Sequence, residues 1–370
     1  MSIPFLRRLG LTVSLCACAA LVQAESWPAA DWEVGVTPSG AAVEAFEAYS
    51  FAARDDANPV GVRTDAVLVI HDGKVIYERY AGPTKATTPH LTWSVSKSLI
   101  SAVMGVAYAE GRFKLSDPVA MHYPPFAAHP QIKMGHLFNW ASGLDWQEDY
   151  ELAPLRSSVV AMLYTRGRDD MAAFTAAHQQ EVDPGTRFRY SSGDSTVIAA
   201  TLKSMVGPEA YPSYPWTALF EPLGITSAVW ESDAQGTFVG SSYAYMTARD
   251  LARVGLLMQR GGRWQDQQLL PKAWVDFSLT PFADFKALTP NEEVPGGQWW
   301  LNVAFEGAPK PWPDVPPTAF AALGHWGQSL YVLPEQDLVI VRYADDRDGT
   351  YQHNEFLKLA LAAFAGEPQP

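Results

Sequence analysis

The chain reads as an α+β protein: an antiparallel sheet flanked by helices, carrying a mostly helical inserted segment. Three observations predict this. Strand pairs around tight turns lie near both ends, at 65–82 and 329–343. Apolar helices adjoin those strands, and the stretch from 113 to 234 consists of helical fragments broken by loops rich in Pro and Gly. The predicted organisation is a leader at 1–24, a sheet domain built from 25–112 and 235–370, and a helical domain at 113–234, together forming one unit.

The leader is read first. Arg7 and Arg8 precede the apolar stretch "LGLTVSLCACAALV", and "VQA" before Glu25 is a small-residue cleavage site, so the chain is expected to be exported, to the bacterial periplasm, and cut near Ala24. That apolar run is shorter than the ~20 residues of a membrane span, and no later segment qualifies as one. Both cysteines, Cys16 and Cys18, fall inside the leader, which leaves an exported chain without thiols or disulfides. "LCAC" also resembles a lipoprotein signal, with a lipid anchor at Cys18 as the alternative to simple cleavage.

The remaining 346 or so residues of the 370 can bury a sizeable core at 48% hydrophobic composition. A net charge of -13 without runs of Lys or Arg excludes nucleic acid as a partner.

"DAVLVIHDGKVIYERYAG" predicts two strands around Asp72-Gly73, a pair that tolerates the positive φ of a tight hairpin. "LTWSVSKSLISAVMGVAYAEG" follows and predicts a buried helix with Thr92 or Ser94 as N-cap. "YPPFAAHP", "DPGTRF" and "GPEAYPSYP" are read as loops of the middle segment. "MTARDLARVGLLMQRGG" predicts a helix capped by Thr247, with Asp250 closing a capping box and Gly261-Gly262 as the stop. "GQSLYVLPEQDLVIVRYA" predicts strands at 329–333 and 338–343, "LKLALAAFAG" a closing helix, and "EPQP" a loose tail.

Lys97 is the anomaly in this pattern. It stands in the first turn of an apolar helix, against the helix dipole, with no acidic residue between Arg79 and Ala109 to pair with it. Residues three apart share a helix face, so its amine can reach the Ser94 hydroxyl. Apolar surroundings and the helix terminus disfavour the ammonium, and a neutral amine is a base able to take the serine proton. The helix terminus also leaves the Ser94 backbone N–H available to an oxyanion. Metal chemistry finds no support: His122, His129 and His136 are separated by Pro124, Pro125 and Pro130, and no His-Glu-x-x-His occurs. No cofactor is implied, and no Gly-x-Ser-x-Gly elbow is present.

Two further motifs follow in order: Tyr190-x-Ser192 in "RFRYSSGDS", and His325-Trp326-Gly327 in "GHWGQSLYVL". With Ser94-x-x-Lys97 they resemble the serine β-lactamase and penicillin-binding protein superfamily in its class C-like branch. That branch includes class C β-lactamases, D-Ala-D-Ala carboxypeptidases, family VIII carboxylesterases and 6-aminohexanoate-dimer hydrolases.

The resemblance implies a β-lactamase/transpeptidase-like fold and a serine hydrolase that forms an acyl-enzyme. Ser94 would be the nucleophile, with Lys97 and Tyr190 as proton-transfer groups and either one as the acylation base. A neighbouring lysine charge would favour the Tyr190 phenolate. Backbone N–H groups of Ser94 and Gln328 would form the oxyanion hole. Ser192, His325, Trp326 and Gly327 would bind substrate, with Gly327 leaving room for it. Ser192 and His325 stand where a class C β-lactamase has Asn and Lys, and a mostly neutral His lowers the expectation of β-lactam turnover. Tyr-x-Ser and "GLDWQEDY" look closest to the 6-aminohexanoate-dimer hydrolases and related esterases, which implies a small-molecule linear amide or ester as substrate. The alternatives are a carboxypeptidase or β-lactamase, and a non-catalytic cell-wall peptide-binding protein.

Overall fold

The computed structural model describes residues 25–366 apart from 54, 56, 58, 59, 288, 290 and 291, so the expected leader with Cys16 and Cys18 and the "EPQP" tail lie outside the described residues. β1 (Thr64–His71) and β2 (Lys74–Tyr80) pair antiparallel around Asp72 and Gly73, whose φ angles of 47° and 70° form the left-handed turn that their sequence predicts. Five strands from the C-terminal part join them: β3 (Val294–Pro295), β4 (Trp300–Leu301), β5 (Phe320–Gly324), β6 (Gln328–Leu333) and β7 (Leu338–Ala344). The seven-stranded sheet runs β2-β1-β7-β6-β5-β4-β3. Its centre is made where the two ends of the chain meet, with Leu68 opposite Val341 and Val69 opposite Ile340.

Side-chain alternation divides the sheet into two apolar faces. Leu68, Ile70, Leu330, Val332, Val339 and Val341 lie on one face, and Val67, Val69, Tyr331, Leu333, Leu338 and Ile340 lie on the other. Five helices matter for the site: α1 (Ala41–Ser50), α2 (Val95–Ala109), α3 (Ser192–Val206), α4 (Ala248–Gln259) and α5 (His353–Phe364). α1 and α5 cover the second face, where the Phe46 ring packs 5.3 Å from Phe356 and 5.0 Å from Phe364. α2 and α4 cover the first. Gly255 of α4 is the close-approach point, since a Cβ there would lie 2.5 Å from Val339.

α4 is capped as its sequence predicts, with Thr247 Oγ1 accepting from Asp250 N at 3.2 Å, and it stops at Gly261 and Gly262 with φ of 63° and 81°. Asp250 does not close the capping box. Its carboxylate instead accepts from Thr226 N, Ser227 N and Ser227 Oγ, and the Ser227 hydroxyl takes the Thr247 N–H in its place. Three donors from a neighbouring loop offer the carboxylate more than the single local N–H does.

Between 113 and 234 the regular elements are helical, except that Val229–Trp230 joins Ala244–Met246 and His90–Leu91 in a small sheet. "YPPFAAHP", read as a loop, folds into a 3₁₀ turn at Pro124–Ala128, because the fixed φ of proline suits a first helical turn. α3 buries Val197, Ile198 and Leu202 in the same core as α2. No helix among the described residues is long and apolar enough to cross a membrane.

α2 is pressed against Trp274 at Gly105, where a Cβ would lie 2.6 Å from Trp274 Cδ1. Gly105→Ala is expected to overpack this contact and destabilise the protein by ~1–3 kcal/mol. Urea unfolding would read this as a lower midpoint at unchanged slope; an unchanged midpoint would show that Trp274 yields without cost.

Candidate active site

The small sheet delivers Ser94. Strand His90–Leu91 leads into Thr92, whose backbone N–H and hydroxyl both donate to Ala244 O at 2.9 and 2.8 Å. The chain then turns through Trp93 in a left-handed conformation, φ 48°, and enters α2. Ser94 occupies the N-cap position, yet its hydroxyl makes no capping bond. Neither Thr92 nor Ser94 caps the helix through its side chain, and the Ser94 Oγ is left for other partners.

Lys97 is that partner, and it is only 1% exposed. Its Nζ lies 3.0 Å from Ser94 Oγ, 3.0 Å from Ser192 Oγ and 3.1 Å from Ser241 O. Burial pulls the amine down to about 8, against an upward pull from the Glu148 carboxylate. The partners also fix where the lone pair points. Ser241 offers a carbonyl and can only accept, while Ser192 gives its proton to Glu148 Oε1 and therefore accepts from Lys97. Both N–H bonds of the neutral amine are thereby committed, and the lone pair is directed at Ser94 Oγ.

Glu148 was not read from the sequence as a site residue. Its Oε1 takes the Ser192 hydroxyl, and its Oε2 takes the Ser192 N–H at 2.9 Å and the Trp146 indole N–H. The one signal was its place in "GLDWQEDY", a segment that resembles the family without marking which carboxylate acts. Ser192 also departs from its expected role. It is fully buried as the first residue of α3, it links Glu148 to Lys97, and it is not among the residues that line the cleft.

Tyr190 is wedged between Trp140 and Trp300, at ring distances of 4.9 and 5.5 Å, and the Lys97 amine lies 4.7 Å from its ring centroid. The expectation of a lysine-stabilised phenolate is overturned. Burial and the Glu148 charge push the phenol well above its ordinary value, and the opposing hydrogen bond with Ser94 is weaker than both. This setting favours the protonated phenol, which is suited to passing a proton on.

His325, Trp326 and Gly327 form the turn between β5 and β6. His325 lines the cleft, with Nε2 2.9 Å from Glu151 Oε1; burial lowers its pKa, outweighing the pull of that carboxylate. Trp326 stacks under the Arg347 guanidinium at 3.6 Å and meets the Trp93 ring edge to face. Gly327 does not make room for substrate. A Cβ on it would strike the buried Asp346 and Arg342 side chains at 2.1 and 2.5 Å. Gly324 is the residue that lies against the start of α2: a Cβ there would be 2.5 Å from Thr92 O, 3.2 Å from Ser94 N and 3.1 Å from Gln328 Cβ.

These groups open into a cleft of about 500 Å³, lined by Ser94, Tyr150, Glu151, Tyr190, Trp300 and His325 among others. Trp300, in "GGQWWLN", is a wall that the sequence alone could not separate from ordinary packing. Among the described residues lining the cleft none is Lys or Arg. Arg342 is fully buried and paired with Asp346, away from it.

A serine facing a buried amine at a helix N-terminus, beside the end of an antiparallel sheet, defines a serine hydrolase. The chain belongs to the beta-lactamase family, whose model matches residues 53–363. It is similar to a protein of Paenarthrobacter ureafaciens named 6-aminohexanoate-dimer hydrolase, 28% identical over an alignment of 307 residues and covering 78% of this chain and 74% of that protein. Among solved structures it is similar to EstCE1, described as a hydrolase with promiscuous acyltransferase activity, with a TM-score of 0.69 and 16% identity over 88% of this chain and 98% of that one. A β-lactamase from Mycobacterium bovis has a TM-score of 0.60 and 18% identity, over 88% of this chain and 100% of that one.

Because Glu148 raises the Lys97 pKa, the rising limb of kcat/KM against pH is expected near 8 in the wild type and lower in Glu148→Gln. A limb that stays in place or moves up would show that Glu148 does not act through Lys97.

Proposed function

We propose that this protein cleaves a linear amide or ester through a covalent acyl-enzyme on Ser94. The Ser94 Oγ attacks the substrate carbonyl carbon while its proton passes to the neutral Lys97 amine. The resulting oxyanion sits between the backbone N–H groups of Ser94 and Gln328. Collapse breaks the bond to the leaving amine or alcohol, which takes a proton through the Tyr190 hydroxyl. Water then repeats the sequence on the acyl-enzyme and releases the acid.

The observation that carries this reading is the buried Lys97 Nζ held 3.0 Å from Ser94 Oγ by two other fixed partners. The choice of a linear substrate draws on the relative named 6-aminohexanoate-dimer hydrolase and on the cleft. A D-Ala-D-Ala peptide or a β-lactam presents a carboxylate that wants a cation, and the cleft offers His325, held below its ordinary pKa, with Glu151 beside it. A non-catalytic binding protein would have no use for a buried amine aimed at a serine.

Purified wild type and Ser94→Ala are to be compared on a short-chain p-nitrophenyl ester, nitrocefin and the linear 6-aminohexanoate dimer. The expected result is Ser94-dependent turnover of ester or linear amide with little nitrocefin hydrolysis, and a loss of orders of magnitude in folded Lys97→Ala. Fast nitrocefin turnover would overturn the substrate class, and ester turnover surviving in Ser94→Ala would overturn the mechanism.

A further inference from the structure

The β5–β6 turn, which leads out of the cleft-lining residues Gly324 and His325, is strained. Trp326 and Gly327 are left-handed in succession, φ 58° and 86°, and a tryptophan does not adopt that conformation without support. The support comes from the opposite face of the sheet. Arg342 of β7, fully buried, donates from one terminal nitrogen to Gly327 O at 3.1 Å and to Asp346 Oδ2 at 2.6 Å, and from the other to Asp346 Oδ1 at 3.1 Å. Its Nε donates to Thr64 Oγ1 at 3.0 Å, and its plane lies 3.8 Å from the Tyr351 ring centroid. Asp346 in turn donates its backbone N–H to Trp326 O at 3.1 Å and accepts from Arg63 N at 2.7 Å.

Every carbonyl of the turn is therefore held. The Gln328 side chain completes the set: its Nε2 donates to His325 O at 3.1 Å and to Ala344 O at 2.6 Å, and its Oε1 accepts from Ala344 N at 3.0 Å. The missing side chain of Gly327 is the space that this ion pair fills. A buried ion pair is seldom the most stable filling for a core, because apolar residues of equal volume often serve as well or better. Stability alone does not account for it.

We propose that Arg342 and Asp346 are positioning residues: a buried strut that locks the β5–β6 turn so that the backbone at Gly324 and His325, beside Ser94, is fixed where the oxyanion forms. This rests on the acyl-enzyme reading above. Neither side chain reaches the cleft, and both act through Gly327 and Trp326. The strut belongs to transition-state binding, so its loss falls on kcat and leaves the ground-state complex largely intact.

The test uses the full chain and three variants: Asp346→Asn, which keeps the shape, Arg342→Lys, which keeps the charge without the planar fork, and the double variant Arg342→Met with Asp346→Leu, which removes both charges together. Kinetics on the p-nitrophenyl ester are paired with inhibition by phenylboronic acid, whose boron accepts the Ser94 oxygen and mimics the tetrahedral intermediate. For variants with wild-type circular dichroism, the expected result is KM within about two-fold, kcat down by at least ~10-fold, and boronate affinity down in parallel, in the range set by losing part of an oxyanion donor. Arg342→Lys is expected to recover only part of the loss. Wild-type kcat and boronate affinity in a folded Asp346→Asn or double variant would overturn the strut. A rise in KM with kcat unchanged would overturn it equally, since that is a substrate contact. Wild type that neither turns over ester through Ser94 nor binds boronate would instead overturn the acyl-enzyme reading on which the strut depends.

Discussion

The arrangement depends on one amine taken out of water. Lys97 on the surface would be an ordinary cation near pKa 10, useless as a base at neutral pH. Burial in α2 brings it down to about 8, where a usable fraction is neutral, and the Glu148 charge keeps it from falling further. The same burial forces each nitrogen substituent onto a fixed partner, because an unpaired polar group in that core would carry a penalty of ~1–3 kcal/mol. Ser192 and Ser241 take two directions, and Ser94 receives the third. Basicity and aim therefore have a common origin in desolvation.

The rest of the fold holds that amine and its serine still. α2 is gripped between the sheet face of Leu330 and Val341 and the helical segment of α3, and its entry is tied to the small sheet through Thr92 and Ala244. Tyr190 is fixed by Trp140 and Trp300, so its hydroxyl stays next to Ser94. The second sheet face, under α1 and α5, carries Arg342 at a position opposite Ser329. Two faces of one sheet thus serve the site from different directions, holding Ser94 from one and the β5–β6 turn from the other.

What the sequence made legible is local. The Asp72-Gly73 hairpin, the Thr247 cap and the Ser94–Lys97 pair follow from spacings of two, three or four residues, where backbone geometry alone fixes who meets whom. What it hid is the second partner. Glu148 and Ser192 stand in separate segments joined only by tertiary packing, and nothing in either segment says that one hydroxyl bridges carboxylate and amine. Gly327 shows the same limit: a glycine after His325-Trp326 suggests room for substrate, and the room is taken by the Asp346 and Arg342 side chains. Asp250 stood at the right spacing for a capping box, and donors from residues 226 and 227 claimed it. The short strands β3 and β4, two residues each, carry too little alternation to be seen.

The most direct measurement is the titration of the Lys97 amine itself, by NMR on protein with isotope-labelled lysine, using Lys97→Arg to assign its signal. The account predicts an inflection near 8, set apart from surface lysines that titrate above 10. An amine that stays charged past pH 10 would contradict it, because the lone pair on which Ser94 depends would then be absent at any working pH.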